Sequence, residues 1–182
     1  LEQIIISEDG QCDKFYDVAA NLFSDNIESI QIAPEGVVTN IYPEEGNQAG
    51  KIDLLHDDAR KKYTQYAVDN DTAVLQGPFS LKQGGSGIVI RNPVFLEKNG
   101  QKKFWGFTIV IIRVPDIFSE SVESLQAFGY AYSLKKTVSP WGTDYVYVYG
   151  SSDTLKDPVS AAFEFQGDTW KLDVAPVGGW KN

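Results

Sequence analysis

The chain has 182 residues, 42% of them apolar and 13% aromatic, which fits one domain or a main domain with a smaller companion and excludes wholesale disorder. Its 16 Lys and Arg against 25 Asp and Glu give a net charge of −9, which argues against nucleic acid or an anionic membrane surface as partner, since both are held by excess positive charge. A single Cys forms no internal disulfide, and the absence of Met, position 1 included, reads as a piece of a longer protein.

In chain order, Asp13 to Phe23 places Phe15, Val18, Ala19, Leu22 and Phe23 on one face, which predicts an amphipathic helix. Ile27 to Ala33 alternates like a half-buried strand, Pro34-Glu35-Gly36 is a turn, and Val37 to Tyr42 reads as the return strand. Pro43 to Gly50 is a loop. A helix is predicted from Asp57, whose carboxylate and that of Asp58 suit an N-terminal turn, and it stops at Asp69-Asn70-Asp71. Strands are predicted at Ala73 to Lys82, Gly87 to Phe95 and Phe104 to Val114, separated by glycine-bearing turns. After Pro115 comes a helix with Ile117, Phe118, Val122 and Leu125 toward the core. Short strands follow at Gly129 to Leu134, Asp144 to Tyr149, Ala162 to Gln166 and Trp170 to Val174. The longest apolar run, Phe107 to Ile112, is far short of the roughly 20 residues that span a bilayer. Helix, two strands, helix, three antiparallel strands is the order of a PAS-like sensory fold. The expectation is an α+β chain: an N-terminal helix over 1–26, a PAS-like antiparallel sheet with flanking helices over 27–127, and a smaller second sheet over 128–182.

No catalytic constellation is visible. Any triad must use the lone histidine, His56, which reads as a surface residue at a helix start, and one His with one Cys falls short of the usual zinc ligand sets. Cys12 has no visible activating partner. Gly84-Gly85-Ser86-Gly87 runs into a strand rather than a helix, so it is a hairpin turn and not a phosphate loop. Glu44-Glu45 and Asp57-Asp58 read as solvated charges, and a hydrolase built on carboxylates has nothing in its favour. No catalytic residue, metal ligand or cofactor is therefore assigned. Arg91 lies inside an apolar run and Asp53 between Ile52 and Leu54, so each needs a partner, either inside the fold or from a ligand. For Arg113 an internal partner is favoured.

Several segments taken together resemble the CHASE domain, the extracytoplasmic sensory module of membrane histidine kinases, diguanylate cyclases and plant cytokinin receptors. They are Ile30 to Val38, Ile41-Tyr42-Pro43 with Glu45-Gly46-Asn47, Ile52 to Leu55, Val74 to Phe79, Gln83 to Phe95, and Phe104 to Phe107. Each is weak alone; their order and spacing carry the resemblance.

The resemblance implies a sensor held between two transmembrane helices, with an enzyme inside the cell. It further implies a homodimer paired through an N-terminal stalk helix, of which Asp13 to Phe23 resembles the upper end, with Trp180-Lys181-Asn182 leading toward the second membrane segment. It places a small-molecule site between Ile27 and Val114. A ligand-contacting carboxylate of the plant members maps onto Asp53, and a wall segment maps onto Val74 to Phe79, including Leu75 and Phe79. Arg91 and Tyr42 are added from the bacterial-type pattern, with Trp105 as an aromatic wall. An Arg at such a place suits a ligand carboxylate. The loop that closes over the site, Gln83 to Gly87, is glycine-rich here, which departs from the plant receptors for adenine-type ligands. The expected function is a small-molecule sensor without activity of its own; the alternative is a dimerisation or interaction module whose interior is simply core.

Overall fold

The computed structural model describes residues 1–45, 49–50, 52–82 and 84–180. Gly46, Asn47, Gln83, Lys181 and Asn182, quoted above, lie outside the described residues. The elements in chain order are α1 (Glu2–Ser7), α2 (Phe15–Leu22), β1 (Ile27–Pro34), β2 (Asn40–Tyr42), α3 (Lys61–Asn70), β3 (Val74–Ser80), β4 (Ser86–Lys98), β5 (Gln101–Arg113), α4 (Val114–Ala127), β6 (Tyr130–Val138), β7 (Gly142–Gly150), β8 (Val159–Phe165) and β9 (Asp168–Pro176). Among the described residues the strands form two sheets, ordered β2-β1-β5-β4-β3 and β7-β6-β9-β8, and the class is α+β as expected. The chain divides into two units, residues 1–77 with 88–112 and residues 78–87 with 113–182.

In the first unit the alternation of β1 decides which residues face which layer. Ile30 and Ile32 turn to one face, where they pack with Val94 and Leu96 of β4 against Ile5 of α1 and Phe15 and Ala19 of α2. Seven such buried side chains form a contiguous apolar layer, and Phe23, Tyr42 and Trp105 pack on its rim. Ser29, Gln31 and Ala33 turn to the opposite face, paired across β5 with Ile111, Ile109 and Phe107. The N-terminal helices are thus part of the first unit's core.

The segment that precedes α3 is tied to the β1–β2 connection. Val37 and Asp53 form an isolated antiparallel bridge, the Leu54 N–H donates to the Gly36 carbonyl, and the Thr64 hydroxyl donates to the Leu54 carbonyl. Because Val37 is used there, the return strand starts only at Asn40. Helix α3 begins at Lys61 rather than Asp57, since the Asp57 carboxylate accepts from the Ala59 N–H and holds the chain in turns first.

In the second unit α4 packs on β6 and β7, and Phe118 stacks on Tyr149 at 6.3 Å between centroids and lies 6.2 Å from Trp170. Ile117, expected in the core, is exposed. The sheet buries an ion pair, Lys136 Nζ to Asp168 Oδ2 at 2.7 Å. Its lone pairs and protons are taken up by the Thr137 carbonyl, the Thr137 hydroxyl and the Ser139 N–H. Edge strand β8 is exposed along its whole length.

Two glycines let neighbouring strands approach closely. A Cβ on Gly106 would lie 2.2 Å from the Ala33 carbonyl oxygen, and one on Gly150 would lie 2.4 Å from the Tyr132 carbonyl oxygen. Both atoms are backbone, so relief requires the strands to part. Gly106→Ala and Gly150→Ala are each expected to lower stability by about 1–3 kcal/mol in urea denaturation. An unchanged midpoint for either variant would contradict the close approach at that position.

Candidate functional site

The long apolar run of β4 carries one charge, Arg91. Adjacent residues of a strand point to opposite faces, and Asn92 donates from Nδ2 to Glu2 Oε2 of α1 at 3.1 Å. Arg91 therefore lies on the face away from α1 and α2, the face that also carries Ser29 and Gln31 of β1. Arg91 is 5% exposed, Ser29 and Gln31 are buried, and the Gln31 amide donates to the Ser29 hydroxyl at 2.9 Å. With β5 between them, β1 and β4 are about 10 Å apart.

The Arg91 guanidinium donates from Nη1 to Gln76 Oε1 of β3 at 2.7 Å, and Gln76 Nε2 donates in turn to the Ala59 carbonyl at 3.0 Å. Among the described residues the buried Arg91 Nε has no hydrogen-bond partner. A carboxylate that acts on Arg91 electrostatically, Asp57, is bound to Arg60 at 2.7 Å. Burial pushes the Arg91 pKa down to about 10, and the Arg60 charge adds to the effect, while Asp57 and Tyr63 oppose it. At neutral pH the group still carries its proton, so a full positive charge lies out of water with one neutral acceptor. Such a charge costs free energy unless it is matched.

Asp53 sits at the turn before α3. One carboxylate oxygen accepts from the Leu55 and His56 N–H groups at 3.1 and 3.2 Å, and the other lies 2.8 Å from His56 Nδ1. These bonds, the His56 ring foremost, hold the Asp53 carboxyl below its ordinary value. His56 is a surface residue with its side chain 82% exposed.

Of the other expected site residues, Leu75 is buried beside Gln76 on β3, and strand alternation turns it to the opposite face. Tyr42 and Trp105 are not brought to Arg91. Tyr42 packs edge-on against Phe23 at 5.3 Å, and Trp105 donates from Nε1 to the Gly10 carbonyl at 3.1 Å, both on the side of α1 and α2. Trp105 instead lines an open groove of about 440 Å³ with Glu35, Val37, Leu96, Lys98 and Phe104, which none of Arg91, Gln76 or Asp53 reaches. Phe79 belongs to the second unit. Gln76, Gln31, Ser29, Asp57 and Arg60 were not singled out as ligand contacts. The signal for Gln31 was its place inside the strand pattern Ile27 to Ala33; Gln76 had no signal of its own beyond its place in a matched segment.

Cys12 is half-buried, and burial with Glu8 and Asp13 nearby pushes its thiol up, away from a reactive thiolate. Among the described residues no group of three or more His, Cys, Asp and Glu side chains is arranged to hold a metal ion.

The CHASE domain family matches the chain over residues 15–140. Three solved structures are similar in fold. An extracellular ligand binding receptor from Desulfohalobium retbaense DSM5692 superposes with a TM-score of 0.69 at 12% identity, over 95% of this chain and 35% of that one. The ligand binding domain of the Pseudomonas aeruginosa PAO1 amino acid chemoreceptor PctC, in complex with GABA, gives 0.55 at 13% identity, over 84% and 75%. The extracellular domain of rpHK1S-Z16, assigned as a histidine kinase, gives 0.54 at 13% identity, over 96% and 81%. At these identities the likeness shows the fold. The chain spans about a third of the length of the first of them. Comparison with curated proteins gave no significant match.

The Asp53–His56 contact has a titration consequence. A carboxylate held low in the folded state contributes stability above its unfolded value, and that contribution is lost as pH falls through the folded value. His56→Ala removes the largest of the bonds, so the Asp53 side-chain carbon, followed by NMR, is expected to titrate at higher pH in that variant. An unmoved midpoint would show that the backbone N–H groups alone set it.

Proposed function

Because the chain belongs to the CHASE domain family, we propose that it is the ligand-binding part of a membrane receptor. In this reading it takes up a small molecule on the Arg91 face of the five-stranded sheet, beneath the segment that leads into α3. The family makes the chain an extracytoplasmic sensory domain of receptors. Among the described residues no helix is long and apolar enough to cross a membrane. The observation that carries the ligand reading is the buried, incompletely partnered guanidinium of Arg91, on a face that also buries Ser29 and Gln31. That face also buries the apolar Ala33, Phe107 and Ile109, and an interior that served only as core would not set an incompletely partnered guanidinium among them.

The domain has no catalytic activity in this reading. Binding changes the relative stability of two arrangements of the domain, and a ligand shifts such an equilibrium only by its differential affinity for the two. Asp53 positions the turn before α3, and Arg91 and Gln76 supply polar contacts. The receptor is a homodimer tethered by flanking segments, and its output is a cytoplasmic histidine kinase or diguanylate cyclase. The solved relatives named for ligand binding, one of them holding GABA, favour a small polar ligand.

A second reading, a dimerisation or interaction module without ligand, is favoured by the exposure of Ile6 on α1 and of Tyr16 and Leu22 on α2. A thermal-shift screen of charged and neutral metabolites separates the two. A ligand at 100 times its dissociation constant stabilises by about 2.7 kcal/mol, which raises the melting temperature of a domain of this size by roughly 5–10 °C. Gln76→Ala and Asp53→Ala are expected to shrink the shift. A true ligand whose shift survives both changes would place the site elsewhere, and a screen without hits, combined with self-association in light scattering, would favour the interaction module.

A further inference from the structure

We infer that the molecule recognised at Arg91 carries a single carboxylate, which the Nε edge of the guanidinium receives. The inference rests on the ligand-binding reading above and adds the chemical class of the ligand. A guanidinium presents its donors in a planar fork, and the edge formed by Nε and the neighbouring Nη matches the two oxygens of a carboxylate. In Arg91 the Nη1 end is already taken by Gln76, and the Gln76 amide is fixed from behind by Ala59. Among the described residues the buried Nε proton has no acceptor. A carboxylate placed against that edge satisfies the orphaned donor and the unmatched charge together.

The charges around the site select one negative charge rather than two. Asp57 and Arg60 pair with each other, which leaves the Arg91 charge as the surplus. A phosphate dianion would bring a second negative charge next to Asp57 and into a protein whose net charge is −9. Helix α3 starts nearby at Lys61, with no side-chain cap and no acidic residue in its first turn, and its N-terminal dipole favours the same sign of ligand. Because Nε is covered, the ligand reaches it only when the covering side chains move aside, so recognition and rearrangement of the site are one event.

The test titrates the whole chain with acetate, lactate, pyruvate, glycine and L-leucine, each against its carboxamide, and with inorganic phosphate and sulfate. Melting temperature and the Arg Nε–H resonances in ¹⁵N-correlated NMR spectra are the readouts. The expected result is stabilisation by one or more carboxylates and not by the matching carboxamides, with one Arg Nε–H signal moving downfield on binding. Arg91→Gln is expected to weaken binding roughly tenfold or more, with Arg91→Lys in between. Should Arg91→Gln fail to fold, the Nε–H signal of the unaltered chain decides. Equal binding of a carboxylate and its carboxamide, tighter binding of phosphate, or no stabilisation by any carboxylate would overturn the inference. A neutral metabolite that binds in the broader screen and is insensitive to Arg91→Gln would overturn it while leaving the sensor reading in place.

Discussion

A positive charge taken out of water and left half-satisfied is the constraint around which the first unit is arranged. Replacing Arg91 by an apolar residue of similar size would suit the interior of β4 better on packing grounds alone, since its neighbours Ile88, Val89, Val94 and Leu96 are all buried and apolar. The sheet tolerates the charge because its two faces do different work. The face toward α1 and α2 is a continuous apolar layer and supplies stability. The other face sets Ser29, Gln31 and Arg91 among the buried apolar Ala33, Phe107 and Ile109, and these polar groups would not remain buried unless apolar packing offset their cost.

The second unit shows what a completed buried charge looks like in the same chain. Lys136 and Asp168 face each other at 2.7 Å, and three further hydrogen bonds close the cluster. Asp173 is treated likewise, between Lys135, Lys171 and the Ser160 hydroxyl. Burial raises the pKa of this carboxyl, and the bonds to Ser160 and the two lysines more than offset that, so it ends below its ordinary value. Two carboxylates with all partners present belong to the architecture of that sheet. One guanidinium with a free donor does not fit that pattern.

Much of this was legible in the residues themselves. The alternation of Ile27 to Ala33, the 3.6-residue spacing of Phe15 to Leu22 and the glycine turns at 84–87 and 98–100 each name an element through local physics, and their order names the fold. The short helix α1 was not legible, because its six residues lack a side-chain cap and it is held by burial of Ile5 against strands far along the chain. The faces of Tyr42 and Trp105 were illegible for a related reason. Parity within a strand is readable, but which parity faces which layer depends on cross-strand register and on the close approach at Gly106. Arg91 stood out because a charge in an apolar run is a local anomaly; Gln76 did not, since an amide at the end of a two-residue buried pair is unremarkable until its partners are known.

Gln76 is a linkage with two ends. Its oxygen faces the Arg91 guanidinium and its nitrogen faces the Ala59 carbonyl, so turning the amide over would put donor against donor and acceptor against acceptor. The amide is therefore locked in one sense, and it fastens the middle of β4 to the peptide just ahead of α3 through two hydrogen bonds of fixed direction.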